Sequence, residues 1–176
     1  LGYIDRSLVK NAHNLKARGL RASLLRLLGQ REEAEQQLLD NLKLDAFDYR
    51  SRLEMEELEG TSHSNTLALM GERTSSYIEC TIDYEDAGLS HSAVNVLRLC
   101  SYESPMLKYH EAYYCSKIKD KTDSSEILIK AFACSSLYCF PNRLEDIAVL
   151  NFALENNKQD SKAPYYLGCL FYDKCR

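Results

Sequence analysis

Helical segments closed by a glycine recur along this chain at nearly constant spacing, and a chain built that way is confined to stacked helix pairs. Gly60 lies 31 residues after Gly29, Gly88 follows 28 later, and Lys119, standing in for the glycine, another 31. The stretch Leu24-Leu25-Arg26-Leu27-Leu28-Gly29 reads as the end of an amphipathic helix. Glycine suits that end because it enters the left-handed region without a Cβ penalty. Glu32, Glu33 and Glu35 then load the start of the next helix, where the helix dipole favours carboxylates. The same grammar returns at Tyr84-Glu85-Asp86-Ala87-Gly88 and, more weakly, at Cys115-Ser116-Lys117-Ile118-Lys119-Asp120. A helix pair cannot bury its apolar faces alone, so pairs repeating at this period stack.

Local signals place helices at 8–28, 31–43, 46–59, 63–71, 74–87, 90–102, 105–118, 123–135, 142–156 and 161–174. Ser104-Pro105 reads as an N-cap followed by proline at the first helical position. Asp123 with Glu126, and Asn142 with Glu145, have capping-box spacing. No strand-like alternation of useful length occurs, and seven Gly and three Pro are too few for the turns of a β-sandwich. At 45% hydrophobic and 27% charged, the chain is neither disordered nor collagen-like. No apolar run is long enough to span a bilayer. A net charge of -4 weighs against nucleic acid as the main ligand.

The expected fold is all-α: a right-handed superhelix (α-solenoid) of stacked antiparallel hairpins with about ten helices. One helical repeat domain over 1–176 divides into repeats at 10–45, 73–104, 105–136 and 139–176, with an irregular pair at 46–72. The chain opens Leu1-Gly2-Tyr3 without a Met and stops inside what reads as an unfinished hairpin, so it is expected to be a piece of a longer protein. Seven Cys, an odd count without Cys-x-x-Cys spacing, sit mostly in apolar helical segments. They read as reduced, buried thiols, which points to the cytoplasm.

These residues resemble tetratricopeptide repeats. That family's 34-residue motif takes large residues at motif positions 4, 7, 11 and 24, small ones at 8, 20 and 27, Gly at 15 and Pro at 32. From Arg73, Tyr77, Cys80, Thr81 and Tyr84 match positions 4, 7, 8 and 11, and Gly88, Ala93, Leu97, Cys100 and Pro105 match 15, 20, 24, 27 and 32. The first repeat supplies Ala22, Leu25, Gly29, Ala34 and Leu38, but departs at Arg21 and Ala46. The third keeps Ala112, Leu128 and Ala131 with Ser124 where Ala is usual. At the end, Leu167, Gly168 and Phe171 match 7, 8 and 11, while Cys175 replaces Gly. More narrowly, Cys139-Phe140-Pro141-Asn142-Arg143-Leu144-Glu145 and Ala163-Pro164-Tyr165-Tyr166-Leu167-Gly168 resemble the repeat array of a bacterial family. There, such arrays follow a large β-rich domain of unknown function with links to carbohydrate.

Catalytic signals are weak. Tyr109-His110-Glu111-Ala112-Tyr113-Tyr114 begins like a zinc-binding His-Glu-x-x-His, but Tyr114 stands where the second His must sit, and His110 reads as a partly exposed helix residue. No phosphate loop and no Gly-x-Ser-x-Gly elbow occurs, and no cofactor or metal is expected. Glu54, Glu56, Glu57 and Glu59 read as a solvated helix face, and Arg6, Lys10, Arg18 and Arg21 as a basic arc on the first helix.

Ten of twelve Tyr lie between 77 and 172. The resemblance implies a concave face built from motif positions 2, 5, 9, 12 and 13, which places Tyr109, Tyr113, Tyr165 and Tyr172 on it. Tyrosine offers a rigid ring and a hydroxyl suited to partner contact, while the plainer reading packs these rings between repeats. Ile78, Ile82, Glu85 and Asp86 at the same positions have the wrong polarity for capturing an acidic chaperone C-terminus. The expected function is a non-catalytic scaffold binding a protein, a peptide or another domain of the same chain. The alternative is a helical accessory domain of a larger carbohydrate-active enzyme. A last helix without its mate would leave Leu170 and Phe171 exposed for homodimer formation.

Overall fold

The computed structural model describes residues 1–118 and 124–174, so Lys119, Asp123 and Cys175, named above, lie outside the described residues. Among the described residues there are eleven α-helices and no strand. They divide into two compact units, Leu1–Gly71 and Glu72–Arg176.

The first unit contains α1 (Gly2–Lys10), α2 (Leu15–Leu27), α3 (Arg31–Leu44), α4 (Tyr49–Glu59) and α5 (Ser64–Met70). The sequence reads as one helix over 8–28, but the chain breaks between α1 and α2. Two asparagines cause the break: Asn11 takes the His13 N–H on its side chain, and Asn14 caps α2 by accepting from the Ala17 N–H. Ala22 and Leu25 from α2, Ala34 and Leu38 from α3, and Met55 and Leu58 from α4 form the core. Ala22 and Ala34 are fully buried, as small residues must be where two helices of a hairpin approach.

A polar string runs through the same interface. Arg18 Nε donates to Asn41 Oδ1 at 2.7 Å, Asn41 Nδ2 to Ser51 Oγ at 3.0 Å, and Ser51 Oγ to Asp48 at 2.6 Å. Gly19 leaves room for the buried Arg50 guanidinium, which donates to the Lys16 carbonyl at 2.7 Å; a Cβ at Gly19 would stand 2.1 Å from Arg50 Nη2.

The second unit contains α6 (Thr74–Asp86), α7 (Ser90–Arg98), α8 (Pro105–Lys117), α9 (Ser124–Ala133), α10 (Glu145–Asn156) and α11 (Lys162–Asp173). Hairpins α6–α7, α8–α9 and α10–α11 each pack internally, and α8 packs against both α6 and α10. Thr81, Ala93, Ala112, Ala131, Ala153 and Ala163 are all fully buried, putting a small residue on each of the six helices.

Pairing of α11 with α10 corrects the expected register of the last repeat. The sequence makes α11 the first helix of an unfinished hairpin, with Gly168 at a close approach. Gly168 is exposed, and a Cβ there would meet nothing within 4 Å. Ala153 and Ala163 instead let α10 and α11 close, and the Asp160 carboxylate accepts the N–H groups of Lys162 and Ala163 at the start of α11. α11 therefore packs on α10, with Leu170 buried and Phe171 half-buried.

Gly29 and Gly88 close their helices with φ of 77° and 74°. The next residue's N–H turns back to the carbonyl five residues earlier, Gln30 to Leu25 at 2.9 Å and Leu89 to Tyr84 at 2.8 Å, which satisfies helix-end acceptors. Nothing lies within 4 Å of a Cβ at Gly88, so Gly88→Ala carries only the conformational penalty. A loss of about 1 kcal/mol in a thermal melt is expected, and a smaller one for Gly88→Asn, since Asn tolerates this region better.

Two other helix ends differ from the sequence reading. α7 stops at Arg98 because Leu99 and Cys100 turn their N–H groups to the Val96 and Leu97 carbonyls. α10 starts at Glu145 without the Asn142 box; the Asp146 carboxylate accepts the N–H groups of Asn142 and Arg143.

Candidate interaction site

The site is built on the row α6, α8 and α10. At its centre the buried imidazole of His110 lies 2.8 Å from Asp146 Oδ1 through Nε2 and 3.0 Å from Tyr114 Oη through Nδ1. A carboxylate only accepts, so Nε2 carries a proton toward Asp146. Thr81 of α6 lies beside the Tyr114 hydroxyl and donates its own to the Ile78 carbonyl at 2.7 Å. One buried string, Tyr114–His110–Asp146, thus ties α8 to α10.

Burial pushes the Asp146 carboxyl up. The His110 hydrogen bond and field, with the Arg143 and Asn142 N–H groups, outweigh it and hold the carboxyl below its ordinary 3.8. The sequence reading of His110 as partly exposed is therefore corrected: it is fully buried. Tyr114, in the place of a second zinc ligand, is its hydrogen-bond partner. Among the described residues no group of three or more His, Cys, Asp or Glu could hold a metal.

Beside this string, a hollow of about 140 Å³ is lined by Ile82, Glu85, Tyr113, Lys117, Glu145 and Ala148, among others. Lys117 Nζ bonds Glu85 and sits 4.2 Å from the centre of the Tyr113 ring. That ring also contacts Phe152 at 5.6 Å and Tyr114 at 5.8 Å. Ile82 and Glu85 on α6 thus meet Tyr113 and Lys117 on α8.

The other expected contact residues separate. Tyr109 is fully buried and cannot line a groove: its hydroxyl donates to Asp160 at 2.6 Å, and its ring meets Tyr166 edge-on at 6.3 Å. Motif position 5 is core here because α11 and the turn before it cover this side of α8; Ile78, at the same position of α6, is buried too. Tyr165 is exposed and stacks at a tilt on Tyr166, and Tyr172 is 88% exposed on α11. Since α11 is the second helix of its hairpin, neither belongs to the α6–α8–α10 row.

A larger cleft of about 490 Å³ opens where the N-terminal turns of α6 and α8 meet the loop 134–144. Leu137, Tyr138, Phe140 and Leu144 of that loop are mostly exposed, and Tyr138 holds a φ of 56°. Sequence reading uses residues 139–145 of this loop for a family resemblance and a helix cap but gives it no part in a cleft; the missed signal is the apolar run Leu137-Tyr138-Cys139-Phe140 lying between helices.

The remaining polar groups are mostly engaged. Glu54 is 3% exposed and pairs with Arg26 at 2.6 Å, and Glu56 takes the Thr66 hydroxyl and the His63 ring, so the expected acidic face is only partly solvated. The basic arc dissolves: Arg21 pairs with Asp5, Arg18 bonds Asn41, and Arg6 lies over the Tyr3 ring. Six described cysteines are free thiols, and burial pushes Cys100, Cys115, Cys134 and Cys139 up, away from nucleophilic character. No helix among the described residues is long and apolar enough to cross a membrane. The chain matches no protein-family model and no curated protein.

Proposed function

We propose that this chain is a non-catalytic interaction module of tetratricopeptide type, binding an extended protein segment along the face of α6, α8 and α10. The hollow beside Tyr113 carries this reading. It combines a half-buried aromatic ring with an apolar floor of Ile82, Ala148 and Val149. At its edge sits an opposite-charge pair, Lys117 and Glu85. Rigid aromatic surface gives contact area at low entropic cost, and rim charges select the partner. The partner is a peptide segment of another protein or of a further domain of the same chain, and a cytoplasmic setting accords with the free thiols.

Selection of binders from a random peptide library on the whole chain tests this. Enriched peptides are expected to bind with micromolar affinity, to lose about tenfold with Tyr113→Ala, and to change sequence preference with Lys117→Glu. Enriched peptides indifferent to both substitutions would overturn the assignment of the face, and no enrichment would overturn the function.

A further inference from the structure

We propose that the cleft between α6, α8 and the loop 134–144 binds an oxyanion carried on an apolar body, a phosphate monoester. The site is separate from the peptide-binding face and does not depend on it.

Three observations meet there. First, α6 begins in the cleft with no side-chain cap and no acidic residue in its first turn, so the Thr74 and Ser75 N–H groups face outward at its positive end. Second, Ser104 lines the same cleft and is 6% exposed. It makes no side-chain cap bond to α8. A buried serine whose hydroxyl does not cap the helix it precedes can donate to a group that enters the cleft. Third, the Arg143 guanidinium lies 3.4 Å from the Ser75 carbonyl, beside the α6 N-terminus, and its ion-pair partner Glu79 is 3.6 Å away and 71% exposed. That leaves it poised for a second anion.

Two carboxylates also border the cleft. Asp146 is consumed by His110 and two backbone N–H groups, and Glu72 is exposed at the rim. The α8 N-terminus offers less, because Pro105 at its first position has no N–H. Opposite the donors, Met106, Leu137 and Phe140 form an apolar wall. The volume suits a small organic molecule rather than a bare ion.

The test uses the whole chain with phenyl phosphate, inorganic phosphate and benzyl alcohol, followed by amide NMR shifts. Saturable shifts of the Thr74 and Ser75 amides are expected with phenyl phosphate below about 5 mM, with inorganic phosphate weaker by about tenfold and no saturation by the alcohol. Ser104→Ala, which breaks no existing hydrogen bond, is expected to weaken phenyl phosphate about fivefold, and Arg143→Gln about tenfold. A phosphotyrosine hexapeptide distinguishes the source: tighter binding than phenyl phosphate assigns the site to phosphopeptides, equal binding to small phosphate esters. Either result supports the site. Absence of saturable shifts in the unaltered chain, or binding unchanged by both substitutions, would overturn it, and neither outcome bears on the Tyr113 face.

Discussion

Replacing Asp146 with Ala is expected to lower the stability of the unit Glu72–Arg176 by about 3–5 kcal/mol, the range for removing one member of a buried pair. Two losses combine. His110, fully buried on α8, keeps Tyr114 but loses its carboxylate partner, and the N–H groups of Asn142 and Arg143 lose the acceptor that starts α10. An unpaired group in that setting is penalised far more than the pair itself contributes.

The pH dependence follows from the depressed carboxyl. Because folding lowers the Asp146 pKa from 3.8, its contribution is present above that value and is lost as pH falls through the lower folded value. Urea unfolding followed by circular dichroism should therefore show a gap between the unaltered chain and Asp146→Asn that is constant at neutral pH and narrows below about pH 4. A gap that widens with acid would contradict the assignment.

Tyr109 gives the second large effect. Tyr109→Ala removes a ring with no exposed surface and is expected to destabilise by about 3–5 kcal/mol. Tyr109→Phe keeps the ring but strips the hydroxyl that donates to Asp160, for about 1–3 kcal/mol. Tyr166→Phe is the contrasting control. Its hydroxyl is sealed without a nitrogen or oxygen partner, with the Cys139 thiol beside it, so the change should be neutral or stabilising by about 1 kcal/mol. Equilibrium unfolding of the three variants checks the order. If Tyr109→Ala folded normally and lost only peptide binding, the ring would belong to the groove after all.

The comparison of these tyrosines shows what periodicity carries and what it omits. Spacing of glycines and small residues predicted the hairpins around Gly29 and Gly88 because those constraints are local or lie between adjacent helices. It puts Ile82, Glu85 and Tyr113 at concave positions of successive first helices, and these line one hollow, but it gives no place there to Lys117. It failed at Tyr109 and α11, where the answer depends on which helix comes to lie over α8. Gly168 invited one register, and only the closure of Ala153 on Ala163 decides for the other. The break at Asn11 and Asn14 was masked by an unbroken apolar rhythm, though both residues favour local turns. His110 and Asp146 lie 36 residues apart in the chain, and no short-range pattern ties a histidine to its acid.

The string from Tyr114 through His110 to Asp146 has a mechanical corollary. Layered helices commonly accommodate strain by slipping along one another, and a slip of one turn is about 5.4 Å. Such a displacement of α10 along α8 would pull Asp146 well out of reach of the imidazole, with nothing apolar able to substitute for the lost bond. The string therefore acts as an indexing pin between α8 and α10, set beside the Tyr113 hollow.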